Sequence, residues 1–142
     1  MTADNQQERL NPHWITGFID GEGCFMIQIN KNHKMKTGYQ ILPEFRLVQH
    51  IRDRKLLEKI AKYFGFGVVR KNSSRVKTTL EWRVRGRRDL KNLCDHLTKY
   101  PLRTKKLLDF LKFRTVLKMM DNCPDITKIR NIKSTMNKGS QI

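Results

Sequence analysis

Asp20 and Glu22 stand among glycines in Ile15-Thr16-Gly17-Phe18-Ile19-Asp20-Gly21-Glu22-Gly23, at the end of an apolar helical pattern spanning Pro12–Ile19. The C-terminus of a helix carries partial negative charge, so each exposed carboxylate there is disfavoured by roughly 0.3–1 kcal/mol, and stability alone would select lysine. Carboxylates set against the dipole point to another task. Gly17 and Gly21 have Gly-x-x-x-Gly spacing, which strips one helix face of side chains and lets a second backbone cross closely. Two such helices crossing bring two acidic ends to one point. The chain has 30 Lys+Arg against 13 Asp+Glu, a net charge of +17. In so basic a chain, paired carboxylates indicate a divalent cation held by hard oxygens and facing a polyanion, because the metal bridges to phosphate.

The elements around this segment follow from periodicity. Residues 1–11 read as a polar, flexible arm, after which Asn11 caps a helix and Pro12 occupies its first position. From Cys24 to Asn32, Phe25, Ile27 and Ile29 alternate with polar neighbours, and Tyr39–Gln49 repeats the pattern with Ile41, Phe45 and Leu47. Asp53 is expected to cap a helix whose stripe is Leu56, Leu57, Ile60, Ala61 and Phe64 and whose C-cap is Gly65. A second hairpin joins Val68–Asn72 to Lys77–Arg85 around Ser73-Ser74. Helices follow at 87–99, stopped by Tyr100-Pro101, and at 105–120, with Leu107, Leu108, Phe110, Leu111, Leu117 and Met120 as the apolar side. Residues 12–120 thus form one α+β domain of order αββαββα, with a four-stranded antiparallel sheet, helices on its apolar face and an open polar face. Residues 121–142 form a tail in which Ile126, Ile129, Ile132 and Met136 space a short helix.

The polar face consists of Met26, Gln28, Asn30 and Asn32; Gln40, Leu42, Glu44 and Arg46; Val68, Arg70 and Asn72; and Lys77, Thr79, Glu81, Arg83 and Arg85. Two-stranded ribbons enter the DNA major groove, where arginine pairs with guanine and glutamine or asparagine with adenine, so this face is the expected DNA-binding surface. Leu42 and Val68 are placed to meet thymine methyl groups. Charge alone leaves RNA and DNA equally open, with a ribosomal-type protein or a membrane-surface binder as the bland alternative.

Other chemistries find no support. Cys24, Cys94 and Cys123 are an odd set without Cys-x-x-Cys spacing, so neither a disulfide framework nor a zinc knuckle is indicated, and reduced thiols in an intracellular setting are expected. His13, His33, His50 and His96 are too scattered for a His-based nuclease or zinc site. Glu81-Trp82-Arg83 has arginine where restriction-type nucleases need lysine. No apolar run reaches the roughly 18 residues of a membrane span, and the polar start is unlike a targeting peptide.

Trp14 through Phe25 resembles the motif of the LAGLIDADG homing endonucleases, and the likeness extends over about residues 10–120 in ordered segments. These are Phe45-Arg46-Leu47-Val48-Gln49-His50, Gly65-Phe66-Gly67, and Tyr100-Pro101-Leu102-Arg103-Thr104-Lys105-Lys106 with Asp109-Phe110. The resemblance implies a saddle-shaped sheet facing DNA. It implies Glu22 as ligand of a catalytic Mg²⁺, with Mn²⁺ or Ca²⁺ able to substitute for binding, and the Gly21 backbone carbonyl as a second donor. Asp20 looks structural in the family. Gln49 matches a position that organises water near the metal, and Lys105 or Lys106 one that stabilises charge at the cleaved phosphate; a second basic position found in some members is left unassigned, because Asp53 stands there.

One motif supplies one acidic end, whereas the family cuts two strands with two motifs packed at a helix-helix interface. A homodimer joined through Trp14, Gly17, Phe18 and Gly21 is therefore expected, with a near-palindromic double-stranded DNA target, cleavage across the minor groove and short 3′ overhangs. Two alternatives stay open: an RNA-binding intron maturase, and the N-terminal half of a two-motif enzyme, which Lys133-Ser134-Thr135-Met136-Asn137-Lys138-Gly139 suggests through its likeness to a segment between paired halves. An organellar or microbial intron is the implied origin.

Overall fold

The computed structural model describes residues 9–72 and 77–138. Most of the expected arm, Ser73-Ser74 at the tip of the second hairpin, and the last four residues lie outside the described residues.

Helix α1 runs Pro12–Glu22 and opens as expected, the Asn11 side chain accepting from the backbone amides of His13 and Trp14. It continues three residues beyond the apolar pattern, so both carboxylates lie in its last turn. Strand β1 (Gly23–Lys31) follows without a loop and pairs antiparallel with β2 (Tyr39–His50), from Gly23 opposite Leu47 to Lys31 opposite Tyr39. Pro43 sits where β2 has β1 on one flank only, since the β4 ladder begins at Phe45. A proline with no amide to donate is tolerated at such an edge.

A 3-10 turn, Ile51–Asp53, leads into α2 (Arg54–Phe64). Asp53 makes no side-chain cap here. Instead His50 accepts from the Arg52 amide through Nδ1 at 3.0 Å, one turn earlier than the sequence suggests. Gly65 closes α2 in the left-handed conformation, φ 80°. Strands β3 (Val68–Lys71) and β4 (Thr79–Val84) complete a sheet of order β1-β2-β4-β3, followed by α3 (Arg87–Lys99), α4 (Lys106–Met119) and α5 (Ile126–Ser134).

The helices cover one face of the sheet through a mainly aliphatic core that contains a chain of aromatic rings. Phe25 meets Phe45, Phe110 and Phe113 at ring distances of 4.9, 5.8 and 5.1 Å, and Phe45 passes the contact on to Trp82, which stacks on Phe64. Such rings combine large apolar burial with edge and offset contacts worth about 0.5–1.5 kcal/mol per pair. α4 is rotated relative to its expected stripe. Phe110, Phe113, Val116 and Leu117 are buried, while Leu108 and Leu111 face outward. The tail does dock: Ile129 and Met136 are buried in the same core.

Gly67 fixes how α2 returns to the sheet. Its φ is 87°, and a Cβ there would stand 2.2 Å from Nε1 of Trp82, whose N–H donates to the Phe66 carbonyl at 3.1 Å. Gly67→Ala is therefore expected to destabilise the fold by more than about 2 kcal/mol, from left-handed strain plus displacement of a buried indole. Thermal or urea unfolding checks this, and an unchanged midpoint would refute it.

Candidate active site and nucleic-acid interface

The chemistry-bearing residues converge where α1 turns into β1. The chain must reverse direction there, and Gly23 is the residue that permits it: a Cβ would meet the Phe45 ring at 2.7 Å and the Ile19 carbonyl at 2.9 Å. Gly17 and Gly21 differ in cause, because a Cβ on either meets nothing within 4 Å. Packing within the chain does not require these two glycines. They share the outer face of α1 with Trp14, 45% exposed, and Phe18, whose rings stack 5.2 Å apart. An indole and a phenyl ring beside a bare helix face form an apolar surface that no described residue covers.

Asp20 and Glu22 have separate duties. Asp20 accepts from the amides of Arg103 and Thr104, at 2.7 and 3.1 Å, and from the Thr104 hydroxyl at 2.6 Å. It thus caps the turn that starts α4, where a negative charge is favoured. Its conflict with the dipole of α1 is offset by the neighbouring helix. Glu22 is exposed and has no hydrogen bond or ion pair among the described residues. Beside it, the Gly21 carbonyl belongs to the last turn of a helix and lacks an intrahelical donor.

Lys106 is the lysine at this corner: its ammonium donates to the Gly23 carbonyl and is half-buried, whereas Lys105 is exposed at the start of α4. Both line an open cleft of about 640 Å³ with Gly23, Cys24, Asp109 and Asn137. Burial pushes the Cys24 thiol up, outweighing nearby Lys106, so this sulfur stays protonated at neutral pH and is no nucleophile. Gln49 is half-buried near the end of β2. It lies two residues beyond Leu47, the partner of Gly23, and pairs with Leu80 of β4.

The opposite face of the sheet carries the expected polar side chains. Leu42, Val68, Arg70, Lys77 and Arg85 are exposed, as is Asn30, while Met26, Gln28, Asn32, Gln40, Arg46, Asn72, Thr79 and Arg83 are partly so. Two depart from the expectation of a solvent-facing surface. Glu44 and Glu81 are 3% and 2% exposed, enclosed beneath the side chains around them. Cys24, opposite Arg46, lies on this face as the alternation indicates, and the register adds Val48, opposite Glu81. Continuing the alternation past Arg46 would have found Val48.

A divalent cation fits the donor chemistry at Glu22. Mg²⁺ is commonly bound by one or two carboxylates and completes its shell from waters and substrate phosphates. Among the described residues no group of three or more His, Cys, Asp or Glu lies together.

Fold and site together set a basic sheet face beside an exposed carboxylate at a helix end. The chain belongs to the LAGLIDADG endonuclease family, whose profile matches residues 15–117. It is 34% identical over 140 residues, 95% of this chain, to probable intron-encoded endonuclease 3 of Neurospora crassa. It is 37% identical over 121 residues, 84% of the chain, to a 50.9 kDa protein in ND4 intron 1 of Podospora anserina. The chain spans 26% of the length of each of these relatives. Among solved structures, the homing endonuclease I-TnaI superposes with a TM-score of 0.84 at 47% identity, covering 92% of this chain and 90% of that one. I-SmaMI bound to cleaved DNA superposes at 0.83 with 34% identity, but the match takes in 45% of its length.

Proposed function

We propose that this chain is a site-specific, Mg²⁺-dependent DNA endonuclease that acts as a homodimer and hydrolyses one phosphodiester in each strand of a near-palindromic duplex. The observation that carries this reading is Glu22, a carboxylate left without a protein partner at the end of a helix whose bare face is suited to a second copy of itself. The similarity to I-TnaI along nearly the full length of both chains supports a unit of one motif. The DNA in the I-SmaMI structure supports the substrate class.

The residues divide the work. The sheet face grips and reads the duplex, phosphate contacts fixing register and base contacts giving specificity. Glu22 and the Gly21 carbonyl would hold the cation, which when bound supplies Lewis-acid polarisation of the phosphodiester. Asp20 ties the end of α1 to the start of α4 and so keeps Lys106 beside the acidic corner. The Lys106 ammonium would stabilise charge at the cleaved phosphate, and Gln49 would orient water.

A second reading has its own support: I-SmaMI, twice as long as the matched region, shows that this fold also forms half of a longer chain. Selection of cleaved duplexes from a randomised library with Mg²⁺ present separates the two. A near-palindromic site is expected from the homodimer, whereas absence of cleavage by a monomeric chain would overturn it.

A further inference from the structure

The centre of the sheet face holds a pair of carboxylates that phosphate attraction does not explain. Buried charges are costly to desolvate, and negative charge on this face subtracts from its pull on DNA. Glu44 and Glu81 are nonetheless among the most buried polar residues described, at 3% and 2% exposure. Their partners show what they do. Glu44 takes Nε of Arg46 on one oxygen and Nε of Arg85 on the other, the latter at 2.6 Å. Glu81 lies 3.9 Å from Nε of Arg46 and is itself fixed by the Asn72 amide, which donates to it at 2.9 Å.

The register makes this arrangement systematic. Arg46 is opposite Arg83, with Glu81 and Arg85 on its two diagonals, and Glu44 lies one step beyond the Phe45–Val84 pair. Arg70 stands opposite Glu81 from the other side. Four arginines therefore flank two carboxylates on this face, and two of them, Arg46 and Arg85, contact them. An arginine has a planar fork of donors, and these carboxylates engage its Nε edge. Among the described residues, no hydrogen bond engages the two terminal nitrogens of Arg46 or Arg85. That pair of donors is the end that reads O6 and N7 of guanine.

We propose that Glu44 is a positioning residue for specificity: it holds Arg46 and Arg85 in place before DNA arrives, so that each subunit presents two ready guanine-reading forks, with Glu81 and Asn72 bracing the first. The inference rests on the DNA-reading function proposed above. Diagonal positions on adjacent strands lie about 7–8 Å apart, and bases stack at about 3.4 Å, so the two guanines read stand about two base-pair steps apart. Arginine is rich in rotamers, and holding it in advance reduces the entropy lost on binding.

Two measurements test this. In the free protein, NMR should show Nε–H signals of Arg46 and Arg85 protected from exchange, with protection lost in Glu44→Gln; unprotected signals in the unmutated protein would overturn the proposal. In binding selections from randomised duplexes without divalent cation, the unmutated protein should enrich two guanines per half-site about two steps apart. Arg46→Ala and Arg85→Ala should each erase one. Glu44→Gln should weaken both preferences about tenfold or more and raise affinity for scrambled DNA, leaving preferences that map to Gln28 and Asn30 in place. Retention of both guanine preferences in Glu44→Gln, or an equal loss at every position, would refute the positioning role. Should Glu44→Gln fail to fold, Arg46→Lys, which keeps the charge and removes the fork, must still abolish one preference. Protected Nε–H signals with no sequence preference at all would instead show that the base-reading function has failed, and the positioning role falls with it.

Discussion

Glu22→Gln is expected to lower the rate of DNA cleavage by about a thousandfold or more while the protein still binds its target duplex in the absence of Mg²⁺. Amide for carboxylate is nearly isosteric, and Glu22 is exposed with no partner among the described residues, so the fold loses nothing by the exchange. What is lost is the charge proposed to hold a cation against phosphate. Lewis-acid stabilisation of the transition state is worth several kcal/mol, and each 1.36 kcal/mol is a factor of ten in rate. Cleavage assays over a range of Mg²⁺ concentrations, run beside metal-free binding, read the two effects separately. Cleavage within tenfold of the unmutated rate would remove Glu22 from the site, and lost binding would mean that it serves the fold or the DNA contact.

The companion carboxylate gives the necessary contrast. Asp20 lies two residues away on the same turn, yet three donors from 103–104 consume its oxygens. One acidic residue joins two helices and the other remains open to a ligand. This difference was not legible from the composition of the segment, since both are acids flanked by glycine. It depends on residues more than 80 positions away.

Most of the scaffold could be read directly because its signals are local. The Asn11-Pro12 start of α1, the left-handed Gly65 and the alternation along β1, β2 and β4 each arise from backbone chemistry within a few residues. Readings failed where tertiary context decides. Asp53 is a plausible cap by type, but β2 runs on to His50, whose imidazole takes the capping role one turn earlier. Leu108 and Leu111 fit a helical stripe, but the Phe110 and Phe113 rings reach Phe25 and set the rotation of α4. Alternation likewise placed Glu44 and Glu81 on the polar face correctly and could not show that arginines would enclose them. Lys106 was separated from Lys105 only by the Gly23 carbonyl it reaches across the fold.

The three glycines of the motif resolve in the same way, and one of them gives a direct test of assembly. Gly23 is fixed by the Phe45 ring, so a substitution there damages the monomer. Gly17 faces open space, so Gly17→Leu meets no atom within 4 Å of the new Cβ, and leucine is a better helix former than glycine by up to about 1 kcal/mol. The isolated chain should therefore fold at least as stably. In a dimer the same side chain enters a helix crossing, and it does so twice, once from each copy. Overpacking costs about 1–3 kcal/mol per insertion, so the pair should weaken association by about 2–6 kcal/mol, or roughly 30-fold to 10⁴-fold in Kd. Sedimentation should show the dimer replaced by monomer with thermal stability unchanged or raised, and double-strand cleavage should disappear along with the dimer. A chain that is already monomeric without the substitution would favour the half-enzyme reading. A dimer that survives Gly17→Leu with its cleavage intact would place the contact between subunits on another face and leave the bare surface of α1 without a partner.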